Sequence, residues 1–317
     1  MKDGTMTPKL GYLLPTRESV MEGRPAAAPL LDLAEEAEDL GFDSVWIGDS
    51  VIARPRHEPL TMLAAVAGRT KRVELGTAVL LPALRNPVLL AHQAATLDQA
   101  SEGRLILGCG IATDVPNIRA EFKACGVPFE KRVGTMLEGL RLARALWTGE
   151  PVTWSGRWEM QDAVLGPKPH RTGGPPIWLP AKADAGMKRI AKEFDGWFPN
   201  GPGPEAWKAD RARLDSEIAA AGRKPQDVTG AIYATFAIDE NVARAEERMN
   251  AFMASYYGQR PDVMRKLQVS FAGPAEMARP ALEDYAAAGV EHICLRFAGD
   301  HAGSLKAFSK IKSDLGW

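Results

Sequence analysis

The stretch 72–112, RVELGTAVLLPALRNPVLLAHQAATLDQASEGRLILGCGIA, restricts the chain to few folds. Val73, Leu75 and the run from Ala78 to Leu81 form one apolar segment, and residues 105–107 form a second. Between them, 87–100 carries Val88, Leu89, Ala91, Ala95 and Leu97 at the spacing of one helix face. Two buried apolar strands joined by an amphipathic helix make a parallel βαβ unit with a right-handed crossover. Small residues stand where each strand meets its loop, Gly76-Thr77-Ala78 and Gly108-Cys109-Gly110. They let backbone approach a flat ligand or another backbone. In a parallel sheet or barrel that edge is where ligands bind. Tight packing explains either glycine group by itself; both strand ends together point to a site.

The alternation extends in both directions. A strand at 9–14 stops at Pro15, a loop covers 16–25, and a helix with Leu30, Leu33, Ala37 and Leu40 ends at Gly41. The segment 44–48 is a second strand with Asp49-Ser50 at its carboxyl end, followed by a helix over 58–70. After Gly110 the rhythm breaks. Helices at 120–126 and 131–148, a hairpin at 151–160 around Ser155-Gly156 and an extended proline-rich piece at 166–176 make an insertion at about 113–176. It belongs to a single domain spanning 1–317. Strands resume at 177–179, 196–198, 231–238 and 292–297, with helices between them and a polar loop at 259–266. Strand-helix alternation repeated eight times predicts a (β/α)8 TIM barrel with an insertion. A doubly wound open sheet is the alternative, and it usually holds fewer strands.

Composition narrows the function class. A length of 317 residues suits an α/β barrel, and 45% hydrophobic with 25% charged residues is the balance of a globular protein. A formal net charge of −1 leaves no electrostatic footprint for nucleic acid or an anionic membrane. The 8 tryptophans are dispersed and lack a basic patch, so no stacking platform is predicted. Three widely spaced cysteines without CxxC argue against a disulfide framework or zinc site and fit a reducing compartment. MKDGTMTPKL holds no signal-peptide core, and no apolar run approaches about 18 residues, so no membrane span and a cytoplasmic location are expected.

In a barrel, the residues able to carry chemistry lie just past the strands. Here they are Pro15 and Thr16, Asp49 and Ser50, Thr77 and Ala78, the residues 108–113, 180–182, Asn200 and Gly201, and Arg296. Asp49 after a buried strand either accepts hydrogen bonds from a ligand ring or acts as a base, or else it caps its own loop. Pro180-Ala181-Lys182-Ala183-Asp184 leads into a helix. Free amides plus one cation suit a phosphate, and an exposed helix start with a solvated lysine is the plain alternative. Gly108-Cys109-Gly110 is not a dinucleotide fingerprint, because Thr113 stands where the third glycine belongs. Cys109 reads as a buried spectator. None of His57, His92, His170, His292 and His301 has metal-ligand spacing, and no GxSxG, HExxH or Walker motif occurs.

The blocks LAEEAEDLGFDSVWIGDS, LGTAVLLPALRNPVLLAHQAATLDQASEGRLILGCG, GVPFEKR with LRLARALWTGEPVTWSGRWE, PPIWLP and DGWFPNGP together span nearly the whole chain. They resemble the luciferase-like monooxygenase superfamily, which includes the coenzyme F420-dependent oxidoreductases. The resemblance implies a barrel that binds reduced FMN or reduced F420 at the carboxyl ends of its strands. It implies a non-proline cis peptide between Ala78 and Val79, with Thr77, Ala78 and Val79 forming a bulge behind the ring. It also implies that Asp49 holds the ring edge, and that Gly110, Ile111 and Ala112, with Ala181, Lys182 and Ala183, hold the ribityl chain and phosphate. Many F420-dependent relatives carry a histidine directly after the aspartate. Ser50 stands there in this chain. A serine donates a hydrogen bond but is a poor acid or base near neutral pH. That weighs against a hydride-transfer mechanism built on the histidine and leaves F420 binding open.

The expectation is therefore a flavin-dependent monooxygenase using reduced FMN, delivered by a separate flavin reductase, and O2 on a small organic substrate. Asp49 and Ser50 would orient the ring edge as the catalytic pair. The insertion and the loop 259–266 are candidate lids over the substrate. An F420-dependent hydride transferase and a non-catalytic flavin-binding barrel are the alternatives. A flavin-free aldolase or hydrolase barrel ranks last, since no Schiff-base lysine or metal cluster is evident. The near-zero net charge permits a homodimer.

Overall fold

Among the described residues there are eleven strands, ten where the sequence predicts them and one, Val269–Gly273, in addition. They are β1 (Lys9–Leu13), β2 (Ser44–Ile47), β3 (Glu74–Thr77), β4 (Leu105–Gly108), β5 (Val152–Ser155), β6 (Glu159–Ala163), β7 (Ile177–Leu179), β8 (Gly196–Trp197), β9 (Thr229–Ile238), β10 (Val269–Gly273) and β11 (His292–Phe297). This computed structural model describes residues 7–317; residues 1–6, on which part of the signal-peptide argument rests, lie outside the described residues. The main sheet runs β10-β9-β11-β1-β2-β3-β4-β7-β8, and β8 pairs with β9 as well. The ring from β9 round to β8 thus closes with eight strands, leaving β10 as a parallel ninth strand on β9. This is a (β/α)8 barrel. The antiparallel pair β5–β6 is the hairpin expected within the insertion. No described helix is long and apolar enough to cross a membrane.

Three segments depart from the sequence reading. The loop after β1 contains a helix, Thr16–Met21, and the polar loop after β9 contains the helix Pro261–Leu267. Each spans only about two turns, too short for a hydrophobic period to show; the second begins with a proline at its first position, where no N–H is needed. The third is β10, whose residues Val269 to Ala272 are only half-buried. Its apolar content alone does not mark a strand, and its backbone pairing with β9 supplies the rest.

The chain packs as two compact units, one comprising the described part of Met1–Leu14 with Asp32–Trp46 and Trp178–Trp317, the other Pro15–Leu31 and Ile47–Ile177. The first unit has an aromatic core layer. The Trp46 ring lies 4.9 Å from that of Phe198 and 5.4 Å from those of Trp178 and His292. Trp46 Nε1 donates to Ser44 Oγ at 2.7 Å, and the same oxygen lies 2.7 Å from His292 Nε2. These polar atoms satisfy one another, so the layer buries indole and imidazole without leaving a donor unmet.

Burial, reinforced by the charges of Lys9 and Lys312, pushes the His292 pKa down to about 3. The folded protein holds it neutral, whereas the unfolded chain protonates it near its ordinary value of about 6.5. The unfolded state therefore binds more protons between those two values. Stability from this site is complete above about pH 6.5 and falls by about 1.4 kcal/mol per pH unit as the pH drops towards 3. His292→Gln keeps a hydrogen-bonding group but does not titrate. Urea denaturation at pH 7, 6, 5 and 4 should show the variant losing stability less steeply than the wild type; parallel slopes would remove this assignment.

Candidate active site

Every residue of β2 is buried, which places the following Gly48-Asp49-Ser50 at the carboxyl end of that strand. The Asp49 side chain is 2% exposed. Its Oδ2 accepts from Arg85 Nη1 at 2.5 Å and from the Leu81 amide at 2.9 Å, and its Oδ1 accepts from Arg85 Nη2 at 3.1 Å. This is a bidentate carboxylate–guanidinium pair, the geometry that favours arginine over lysine. Arg85 Nη2 also reaches Glu58 Oε1 at 3.0 Å. Glu58 caps the helix Pro59–Arg69, its Oε2 accepting from the Thr61 amide at 2.7 Å. Burial works to lower the Arg85 pKa, but the hydrogen bonds and charges of Asp49 and then Glu58 outweigh it and raise the value. For Glu58, burial works upward and is outweighed by the Thr61 and Arg85 contacts, so its pKa falls.

The sequence leaves Asp49 either open to a ligand or capping its own loop; the fold engages both its oxygens with protein donors. Arg85 and Glu58 were not foreseen. Arg85 is the one cation in the apolar run between β3 and the next helix, a signal visible in sequence. Its partner lies 36 residues away, and only the fold supplies it.

After Thr77 the third strand leaves regular pairing. The peptide between Ala78 and Val79 is cis, as the family resemblance implies. The Ala78 amide donates to the Ile47 carbonyl at 2.8 Å, and Thr77 Oγ1 donates to the Gly108 carbonyl at 2.8 Å. Pairing resumes at Leu80, whose amide donates to Gly108 O at 2.7 Å while its own carbonyl accepts from Gly110 N at 2.8 Å. Ala78 and Val79, between these anchors, are half-buried, whereas Leu80 and Leu81 are buried. A Cβ on Gly110 would come within 2.5 Å of Val79 Cγ2, and one on Gly48 would strike the Arg56 guanidinium. These glycines make room for neighbouring protein groups at the strand ends.

Ser50 Oγ donates to Glu121 Oε1 at 2.8 Å and accepts from the Arg54 amide at 2.9 Å. Its only proton is thereby committed to protein. Ile111 is exposed, its carbonyl accepting from Arg132 Nε at 2.8 Å, and Ala112 has a left-handed φ of 61°. His57 sits against backbone, with Nε2 2.8 Å from the Pro25 carbonyl. Asp49, Ser50, Thr77, Ala78, Val79, Gly110, Ile111 and Ala112 all belong to one compact unit; Ala181, Lys182 and Ala183 belong to the other. Ala183 precedes the helix Asp184–Glu193 without any side-chain cap, and Lys182 is exposed, with Nζ 3.4 Å from the Leu267 carbonyl. Arg296, at the end of β11, is buried and donates to Thr235 Oγ1 at 2.7 Å amid the rings of Phe252 and Tyr256, both 4.7 Å from its guanidinium carbon.

Two measurements follow from this geometry. Removing one partner of a buried ion pair strands the other. Asp49→Asn and Arg85→Met should each cost about 3 kcal/mol in urea denaturation, and the double variant should cost less than their sum by about 1–3 kcal/mol. Strict additivity would mean that the two residues are not coupled. Burial pushes the Cys109 and Cys294 thiols well up, while Cys125 is only partly buried. A thiol-reagent titration at pH 8 should therefore label Cys125 alone in the folded protein and all three cysteines after unfolding.

Comparison with known proteins fits this architecture. The family model for luciferase-like monooxygenases matches residues 6–302. The chain is 31% identical over 231 residues to a 5,10-methylenetetrahydromethanopterin reductase of Methanolobus tindarius, covering 73% of this chain and 68% of the relative. It is 29% identical over 333 residues to an F420-dependent glucose-6-phosphate dehydrogenase of Kineococcus radiotolerans, covering 95% of each. The monooxygenase RslO1 from Streptomyces bottropensis superimposes with a TM-score of 0.80 at 25% identity, over 98% of this chain and 100% of that one. A (β/α)8 barrel with this strand-end architecture, matched by the family model along nearly its whole length, makes the chain a member of the luciferase-like monooxygenase family and an oxidoreductase enzyme.

Proposed function

We propose that this enzyme is an F420-dependent oxidoreductase that transfers hydride between the deazaflavin and a small organic substrate. The observation carrying this reading is the similarity, along 95% of both chains, to an F420-dependent glucose-6-phosphate dehydrogenase. It favours hydride transfer over the FMN monooxygenase expected from sequence. The end of β3 suits a flat ring, because Ala78 and Val79 present a half-buried backbone there. In the other unit, taken by itself, the uncapped start of the helix Asp184–Glu193, next to Lys182, offers free amides and a cation of the kind that hold a phosphate. Bound F420 supplies a two-electron hydride carrier. The protein's part is to hold it: Thr77, Ala78 and Val79 support the ring, and Gly110, Ile111 and Ala112 the ribityl chain. Asp49 orients the ring edge indirectly, by fixing the Leu81 amide and Arg85.

The FMN monooxygenase remains as a second reading because of Ser50. Its proton goes to Glu121, so it offers no acid–base group beside the ring. Chemistry that draws its oxidant from O2 depends less on such a group than hydride transfer to a carbonyl does. The 25% identity to a monooxygenase over both full chains supports this reading too.

Anaerobic titration of tryptophan fluorescence with F420 and FMN, each oxidised and reduced, separates the two. F420 should bind at least about tenfold more tightly, roughly 1.4 kcal/mol. Tighter binding of reduced FMN, with oxygen consumed on admitting air, would reverse the assignment.

A further inference from the structure

We propose that Glu121 is a positioning residue that shapes the loop beside the cofactor without touching cofactor or substrate, a role that rests on the cofactor site placed above. Glu121 lies in the helix Pro116–Ala124, within the insertion, and its side chain is fully buried. One carboxylate oxygen, Oε1, accepts from Ser50 Oγ at 2.8 Å and from three successive amides, Val51 at 2.6 Å, Ile52 at 2.8 Å and Ala53 at 3.1 Å. Ser50 Oγ in turn accepts from the Arg54 amide, and Asn117 of the same helix donates to the Ala53 carbonyl at 3.1 Å. The four residues that follow Asp49 are thus wrapped around a single oxygen atom, and the Ser50 hydroxyl ties in Arg54.

Two features distinguish this clamp from ordinary packing. The other oxygen, Oε2, is buried and has no hydrogen-bond partner, a cost that the fold's stability alone gives no reason to bear. The loop also runs against the hydrophobic preference of its own side chains. Val51 and Ile52 are 51% and 54% exposed, although both are branched aliphatics. Left to itself, such a loop would fold these groups inward. Amides that converge on the buried carboxylate keep the backbone turned inward and these side chains exposed instead. The clamp also explains Ser50: its hydroxyl is a structural element of the loop and not a proton donor to the ring.

The test compares Glu121→Ala with Glu121→Gln, which retains an acceptor oxygen at the same reach. Hydrogen exchange of the Val51, Ile52 and Ala53 amides reads the clamp without any cofactor, and circular dichroism confirms folding. Glu121→Ala should speed these three amides at least about tenfold, weaken cofactor binding about tenfold, perturb the bound cofactor's absorption spectrum and lower kcat more than it changes substrate KM. Glu121→Gln should recover most of these losses. Should Glu121→Ala fail to fold, Ser50→Ala removes one of the four bonds without opening a large cavity and should show the same exchange and spectral changes in smaller degree. A folded Glu121→Ala with freely exchanging amides but unchanged cofactor affinity, spectrum and kcat would overturn the proposal. If the wild type bound neither F420 nor FMN, the cofactor reading would fail first and the positioning role with it, whatever the exchange data showed about the clamp.

Discussion

The site depends on one charge pair. Asp49, at the end of a wholly buried strand, meets Arg85 in a two-pronged contact and takes the Leu81 amide with the same carboxylate. An almost fully buried aspartate is tolerable only with such donors, because an unpaired buried charge costs several kcal/mol. The pair therefore sets where the chain after the cis peptide must lie: moving the Leu81 amide or Arg85 would strand Asp49. Glu58 extends the constraint to the start of a neighbouring helix. The geometry at the end of β3 is thus held by electrostatics from β2 as well as by its own backbone bonds to β4.

Glu121 applies the same logic to the loop that follows Asp49. Four donors converge on one oxygen, so the loop's shape is dictated by a helix about seventy residues further along the chain. The two carboxylates divide the work, Asp49 holding the bulge and Glu121 holding the loop. Asp49 acts through the Arg85 guanidinium and one backbone amide, and Glu121 through three backbone amides and the Ser50 hydroxyl.

Where local order decided structure, the sequence was readable. The eight barrel strands, the helices between them and the hairpin of the insertion follow from apolar runs, helical spacing and glycine or proline stops. The helices Thr16–Met21 and Pro261–Leu267 were too short to show a period, and β10 is a strand because β9 is beside it. The cis peptide came from family resemblance and not from any local rule. At the site, position was legible and partnership was not. Asp49 and Ser50 stand out as polar residues past a buried strand, yet nothing local in the sequence pairs them with Arg85 and Glu121.

Periodicity and stop signals in the chain were enough to specify the alternating strands and helices of a barrel, because these follow from interactions among near neighbours in sequence. The tertiary structure alone decided what the polar residues at the strand ends do. Asp49 is paired, Ser50 is an element of a clamp, and Arg296 is packed in the core. A hydrogen bond or ion pair depends on atoms that meet at about 3 Å. Residues 36 and 71 positions apart reach that distance only in the folded chain.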